Sequence, residues 1–270
     1  MSGDRVTDRV LKTALDAART GGRILMDGFG KLSETQIGLK GSGDWITDAD
    51  HASEEAVIGV IRSAFPDHAI HAEESGRQPS DTESEWIIDP LDGTANFVQG
   101  IPWFTVSVAC LHRGRIHTGV VHDPVREETF WAQSGRGAFL NGKSIRVSAK
   151  TDLSTAILAT GFPWRSKSFL ADYLESFRTL FSRSAGARRM GSASLDLAYT
   201  ASGRFDGFWE MRLKPWDIAA GILLVKEAGG VVTDFQGGAG FMETGHVVAG
   251  PPSIHEKLVE VTHKTLGNIP

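Results

Sequence analysis

The sequence predicts an α/β protein of the α+β kind, with helices beside a mostly antiparallel sheet in its first half and a strand and helix alternation in its second. Three observations carry this expectation. Apolar residues recur at helical spacing before Pro66, short apolar runs bounded by turn residues follow to about residue 148, and beyond that point runs of strand length alternate with helix-length periodic segments. The chain therefore divides into halves at 1–148 and 149–270. No fixed-period repeat, low-complexity tract or long linker separates them, so the halves are expected to share an interface.

In chain order, Val6, Val10, Ala14, Ala17, Gly21 and Ile24 form the stripe of an amphipathic helix running to about Asp27, ended by Gly28 and Gly30. Thr47-x-x-Asp50 has the pattern of a capping box. Ala56, Val57, Val60, Ile61 and Ala64 continue one helical face behind it, and Pro66 stops the helix. Strands are predicted at 69–72, 86–89, 104–111, 116–122 and 128–132, with Asn141-Gly142 as a hairpin turn before 145–147. The second half reads as strand 156–160, helix 167–181, helix 192–201, strand 205–209, helix 218–228 and strand 231–234. Pro215 precedes the last helix and Gly229-Gly230 follows it, the usual start and stop chemistry.

Composition narrows the function classes. With 270 residues, 28 Lys+Arg against 33 Asp+Glu, 41% hydrophobic and 23% charged residues, the chain is neither fibrous, disordered nor a disulfide scaffold. Its one cysteine, Cys110, lies in the apolar stretch 104–111 and reads as a buried inert thiol, which fits a cytoplasmic location. No apolar signal segment follows Met1, and no run approaches the ~18 apolar residues that span a bilayer, so a soluble, untargeted chain with no membrane partner is expected. A net charge of -5 without a basic run argues against nucleic acid as a primary partner, although Arg188-Arg189 is a candidate local anion site. Among the nine histidines there is no H-E-x-x-H, and no G-x-S-x-G string supports a serine nucleophile. His68 and His71 read as surface or packing residues, Gly135-Arg136-Gly137 as a hairpin connection, and Trp103 and Trp164 as candidates for the rim of a pocket or an interface.

The acidic residues are the most informative. In 86–97 an apolar strand delivers Asp89, Pro90 forbids regular continuation, and the turn brings Asp92 and the Leu91 carbonyl toward the side of Asp89. Two carboxylates and a backbone oxygen suit a hard divalent cation, and the Gly93 and Thr94 amides that follow suit a phosphate. In isolation the string reads equally as turn chemistry. Three other strings, taken alone, favour a purely structural reading. Glu73-Glu74-Ser75-Gly76 is also a solvated loop by composition, and Asp217 after Pro215-Trp216 is also an N-cap. Asp44 to Asp50 is also a cap.

Together these strings resemble the inositol monophosphatase family of the Mg²⁺-dependent, lithium-sensitive sugar phosphatase superfamily, over nearly the whole chain. The signatures stand here as Asp89-Pro90-Leu91-Asp92-Gly93-Thr94-x-Asn96-Phe97 and Trp216-Asp217-x-Ala219-Ala220-Gly221, with Glu227-Ala228-Gly229-Gly230 after it. Lys40-x-Ser42-x-Asp44-x-x-Thr47-x-x-Asp50 and Glu73-Glu74-Ser75-Gly76 keep the family's order. Ala159 to Pro163, Arg188-Arg189-x-Gly191-Ser192-Ala193 and Leu213-Lys214-Pro215 are similar to the bacterial inositol-1-monophosphatase branch. The resemblance implies a layered α-β-α-β-α fold, a homodimer and a small phosphorylated polyol substrate.

It also implies roles. Glu73, Asp89, Leu91, Asp92 and Asp217 would hold Mg²⁺, one ion between Glu73, Asp89 and Leu91, a second between Asp89, Asp92 and Asp217, and a third, weaker one near Glu73. Thr94 and Asp50, with Glu73, would orient and activate the attacking water. Gly93 and Thr94 would hold the phosphate, while Arg188, Gly191, Ser192, Ala193, Glu210 and Asp217 would face the substrate. Glu210 can accept hydrogen bonds from two adjacent ring hydroxyls, a reading favoured over that of a strand-end surface residue. The implied activity is hydrolysis of inositol 1-phosphate by direct attack of water. Histidinol-phosphate phosphatases share the metal strings, and other sugar or nucleotide phosphatases of the superfamily stay open too. A non-catalytic regulatory protein retaining the fold is the reading from another class. Ala95 stands where many relatives carry Thr or Lys, which puts details of the phosphate loop in question.

Overall fold

The computed structural model describes residues 2–41, 44–163 and 166–269; Ser42 and Trp164, singled out above, lie outside them. Helices α1 (Ser2–Gly28) and α2 (Asp48–Ala64) are joined through a hairpin of β1 (Ile37–Gly41) and β2 (Asp44–Thr47), which forms a small sheet of its own. An eight-stranded sheet follows, built from β3 (Ala69–Ala72), β4 (Gly76–Gln78), β5 (Ser84–Asp92), β6 (Thr105–His112), β7 (Arg115–Asp123), β8 (Glu128–Gln133), β9 (Gly137–Leu140) and β10 (Lys143–Ile145). The short helix α3 (Thr94–Val98) sits between β5 and β6. The strand order is β10-β9-β8-β7-β6-β5-β3-β4, antiparallel throughout the described residues except where β3 meets β5.

The second half contributes β11 (Ile157–Thr160), α4 (Leu170–Arg183), β12 (Gly186–Arg188), α5 (Ala193–Ala201), β13 (Gly207–Glu210), α6 (Pro215–Glu227), β14 (Val231–Thr233), α7 (Phe241–Thr244), β15 (Val247–Gly250) and α8 (Pro252–Leu266). Its five strands are ordered β12-β11-β13-β15-β14, parallel from β12 to β13 and antiparallel beyond. The hairpin turn falls where expected, with Asn141 and Gly142 both at positive φ (48° and 80°), as a tight two-residue turn between right-twisted strands requires. The strand after it starts at Lys143 and ends at Ile145.

Helices α1 and α2 cover one face of the large sheet, α5 and α6 fill the space between the two sheets, and α4 and α8 close the far side. The result is the five-layer α-β-α-β-α arrangement that the resemblance implies. The amphipathic stripe of α1 buries Val10, Ala14, Ala17 and Leu25, whereas α6 is buried nearly all round, as its unbroken apolar run 218–225 requires. The central core mixes Val121 and Phe130 of the large sheet with Leu197 and Leu224 of the middle helices and Ala159 and Phe208 of the small sheet. The two halves therefore share an interior.

Gly119 of β7 shows how close the layers come: a Cβ there would lie 2.9 Å from the Cα and carbonyl oxygen of Ala220 in α6. The obstacle is backbone, so it cannot swing aside. Gly119→Val is expected to lower stability by about 1–3 kcal/mol through overpacking, read as a fall in the urea unfolding midpoint at unchanged slope.

Candidate active site

The site begins with an irregularity in β5. Asp89 pairs with Ser107 of β6 and Asp92 with Thr105, so the bulge sets a three-residue step on β5 against a two-residue step on β6. Side chains alternate along a strand, and one extra residue returns Asp92 to the face of Asp89. Pro90, which cannot donate to the ladder, sits in the bulge. Ser53 Oγ of α2 donates to the Pro90 carbonyl (2.8 Å), and the Leu91 amide donates to Asp89 Oδ1 (3.0 Å).

After the bulge, Gly93 takes φ 103° and caps α3. A Cβ at this position would approach the Trp103 carbonyl to 2.9 Å, so both the conformation and the space call for glycine. Thr94 Oγ1 lies 3.1 Å from Asp50 Oδ1 and 3.0 Å from the Leu91 carbonyl, either of which can accept its hydrogen bond. Asp50 divides its oxygens: Oδ2 accepts from the Thr47 amide (2.8 Å) and hydroxyl (2.6 Å), while Oδ1 faces Thr94. The capping box expected from the sequence is present, and its acid also reaches the site. Glu73 follows β3, its amide donating to the Ile88 carbonyl (3.1 Å). Lys40 of β1 reaches over to Glu73 (3.0 Å) and Glu74 (2.6 Å).

The second half closes the opposite wall. Asp92 Oδ2 accepts from Ser192 Oγ (2.8 Å), Ser194 N (2.7 Å) and Ser194 Oγ (2.6 Å), which ties the bulge to the start of α5. Asn96 donates from Nδ2 to the carbonyls of Trp103 (2.8 Å) and Met190 (2.9 Å), pinning the loop that carries Gly191. Asp217 is the third residue of α6, with Pro215 first, and its Oδ2 accepts from the Lys214 amide (2.7 Å). Ser107 donates to the Trp216 carbonyl (3.2 Å), fixing this helix start against the large sheet. Glu210 ends β13, and its carboxylate occupies the space that a Cβ on Gly161 would need.

These groups line one cavity of about 260 Å³: Glu73, Asp89, Leu91, Asp92, Gly93, Thr94, Gly191, Ser192, Ala193, Glu210 and Asp217 all border it. Asp50 stands behind Thr94. Arg188 is the exception. Its guanidinium donates to its own neighbour's carbonyl, Ala187 O (3.2 Å), at the exposed end of β12, and Arg189 lines the cavity instead. Adjacent residues of an extended segment point to opposite sides, so the arginine that borders the cavity is the one after Arg188. Trp45, Gly161 and Leu213 also border the cavity and were not anticipated, as does Ala95, which the sequence places in the phosphate loop. Trp103, a candidate rim residue, packs in the central core. His68 accepts from Trp86 Nε1 (3.1 Å) and stacks on Phe65, a packing role as expected. Burial pushes the Cys110 thiol up to about 12, which makes it inert.

Electrostatically the cavity is strained. Burial raises Asp89 well above the usual carboxylate range, and the charges of Glu73, Asp92 and Asp217 raise it further. Burial also raises Asp92 against the pull of its serine donors, Asp50 to about 6 and Glu74 to about 7. Burial would lower the Lys40 ammonium, but Glu73 and Glu74 outweigh it and hold the group above its ordinary value. Among the described residues, no three acids, histidines or cysteines are already drawn together at metal-holding distance. Glu73 is held by Lys40, Asp92 by the serines and Asp217 by the Lys214 amide. The donor set nevertheless fits a hard divalent cation: carboxylates and one carbonyl, all oxygen, bordering one cavity with more negative charge than they can carry unaided.

A five-layer fold with an acidic, all-oxygen cavity between its sheets defines the class of metal-assisted phosphoester hydrolases. The chain belongs to the inositol monophosphatase family, whose model matches residues 7–266. It is 48% identical over 255 residues to the Nus factor SuhB of Pseudomonas aeruginosa, covering 93% of this chain and 94% of that one. Among solved structures it is similar to the extragenic suppressor protein suhB of Bartonella henselae, with TM-score 0.92 and 40% identity over 95% of this chain and 99% of that one. The inositol monophosphatase of Anabaena sp. matches with TM-score 0.84 and 38% identity over 96% and 97%.

The raised acids give a pH test. Each binds its proton more tightly folded than unfolded. Its contribution is complete below the unfolded values of 3.8 for Asp50 and 4.5 for Glu74, and is lost as pH rises through about 6 and about 7. EDTA-treated protein is therefore expected to lose thermal stability between about pH 4 and 7 from these groups. Added Mg²⁺ is expected to flatten that decline, and melting curves across the range with and without the ion check both.

Proposed function

We propose that this member of the inositol monophosphatase family is a Mg²⁺-dependent phosphomonoesterase acting on inositol 1-phosphate by direct attack of water. The observation that carries the reading is the cavity of about 260 Å³ that Glu73, Asp89, Asp92, Asp217 and Glu210 all line. Metal dependence is general in the family. A bound divalent ion supplies Lewis-acid polarisation of the phosphoryl group and lowers the pKa of a water. Glu73, Asp89, Asp92, Asp217 and the Leu91 carbonyl would hold it.

The remaining chemistry belongs to the chain. Thr94 donates to Asp50 Oδ1, which leaves a hydroxyl lone pair to accept a proton from the incoming water. Asp50, raised to about 6, is deprotonated yet basic at neutral pH, and can draw that proton onward through Thr94. Gly93 presents its backbone to the phosphate without a side chain in the way. Glu210 accepts hydrogen bonds from neighbouring hydroxyls of a cyclic polyol, and Arg189 supplies positive charge on the same wall. No carboxylate here is free to form a phosphoenzyme, since each serves the ion or a hydrogen-bond partner.

A homodimer and a cytoplasmic location are part of this reading, as the resemblance implies. Among the described residues no helix is long and apolar enough to cross a membrane. A second reading, a regulatory role that does not need catalysis, is favoured by one observation: the relative from P. aeruginosa is named a Nus factor. Asp92→Asn separates the two, because it spares the fold's apolar core. A cellular phenotype that survives the loss of phosphatase activity supports the regulatory role.

Purified protein is expected to release phosphate from inositol 1-phosphate in an EDTA-sensitive, Mg²⁺-restored manner, and millimolar Li⁺ is expected to inhibit it. Absence of that release ends the catalytic reading. Asp92→Asn is expected to lower kcat roughly 10²–10³-fold, the scale on which one pre-organised electrostatic group acts. Glu210→Gln is expected to raise KM for inositol 1-phosphate by about 10–100-fold, the worth of a charged hydrogen bond. A kcat/KM comparison with histidinol phosphate, fructose 1,6-bisphosphate and 3'-phosphoadenosine 5'-phosphate decides the substrate.

A further inference from the structure

We propose that Glu54 of α2 is the positioning residue for Glu73. The inference rests on the reading of Glu73 as a metal ligand and goes beyond it. Glu54 is 4% exposed, on a helix whose other inward positions include Val57 and Ile61 of the apolar core. A carboxylate in that setting is costly unless strong hydrogen bonds compensate it. Its two oxygens take the amides of consecutive residues: Oε2 accepts from Glu74 N (2.8 Å) and Oε1 from Ser75 N (2.7 Å). With the Glu73 amide bound to the Ile88 carbonyl (3.1 Å), three successive backbone N–H groups of the turn are committed. A turn tied at 73, 74 and 75 fixes the direction in which the Glu73 side chain leaves the backbone.

The neighbouring polar residues of α2 have the same logic. Asp50, Ser53 and Glu54 lie at helical spacing on the buried face, and each reaches a different segment of the site. Asp50 meets Thr94, Ser53 the Pro90 carbonyl in the bulge, and Glu54 the turn after Glu73. Nothing in apolar packing requires three polar side chains there. One rigid helix sets the placement of the bulge and its following turn, at Pro90 and Thr94, relative to the turn after Glu73.

A matched control exists in the same chain. Glu227, at the far end of α6 from Asp217, takes the amides of Gly135 (2.8 Å) and Gly137 (2.9 Å) in the β8–β9 turn, outside the cavity. Glu54→Gln and Glu227→Gln each exchange one acceptor oxygen for an amide donor in a two-amide clamp.

The test is calorimetric titration of the metal-free full chain with Mg²⁺, for the wild type and both variants, together with amide exchange of the 73–75 turn. Glu54→Gln is expected to weaken Mg²⁺ binding by about 10–100-fold, the usual effect of removing a group that orients a ligand. Exchange at Glu74 and Ser75 is expected to accelerate, and saturating Mg²⁺ to restore most of kcat. Glu227→Gln is expected to lower the melting temperature while leaving Mg²⁺ affinity unchanged. Should Glu54→Gln fail to fold, Glu54→Asp keeps the charge but is too short to span both amides, and is expected to weaken binding in the same direction. Unchanged Mg²⁺ affinity in a folded Glu54 variant overturns the proposal, as does an equal loss in Glu227→Gln. A wild-type chain that binds no Mg²⁺ overturns the underlying reading of Glu73, and the positioning role with it.

Discussion

Asp89 is almost wholly removed from solvent with the charges of Glu73, Asp92 and Asp217 around it, and in a water-poor cavity such charges repel far more strongly than at a surface. Everything else at the site manages that repulsion. Serine hydroxyls and an amide hold Asp92, the start of α6 holds Asp217, and the Lys40 ammonium bridges Glu73 and Glu74. Burial and the neighbouring charges leave Asp89 and Asp92 with raised proton affinity all the same. Each of these partners neutralises less charge than a divalent cation would, so the acidic cavity stays strained in the way that favours such an ion.

Such a cavity demands stiff supports, and the five layers supply them. The β5 bulge belongs to the central part of the large sheet, α2 grips it from one side and the starts of α5 and α6 from the other. Because α5 and α6 lie between both sheets, Ser194 and Asp217 inherit the rigidity of the whole interior. The hairpin of β1 and β2 contrasts with this. It carries Trp45 to the cavity and Lys40 to Glu73 and Glu74 but pairs with neither main sheet, so this ammonium is held apart from the stacked layers.

Much of this was legible in the sequence, for reasons that differ by residue. Long periodic runs such as that of α1 and the capped start of α2 declare themselves locally. Asp89, Asp92 and Asp217 stand out through the family resemblance of the strings that hold them, since each string alone reads as turn or cap chemistry. What escaped was set by distant partners. The three-residue β4 and β12 and the exposed β1 have too little pattern to signal strands. Helix α8 does carry Pro252 and the spacing Ile254, Leu258, Val261, so its helical signal was present and unread. Arg189 differs from Arg188 only in the side to which it points, and no composition encodes that choice. Gly161 and Glu54 gain meaning only once the fold sets them against Glu210 and the turn after Glu73.

The interleaving of the middle helices has a consequence for biogenesis. Asp217 and the serines that orient Asp92 are synthesised more than 90 residues after the bulge they complete. An emerging chain thus exposes acidic loops from its first half with neither wall nor floor. Only when α6 slots between the two sheets does the centre exist, which delays any reactivity toward cellular phosphate esters until synthesis is nearly finished.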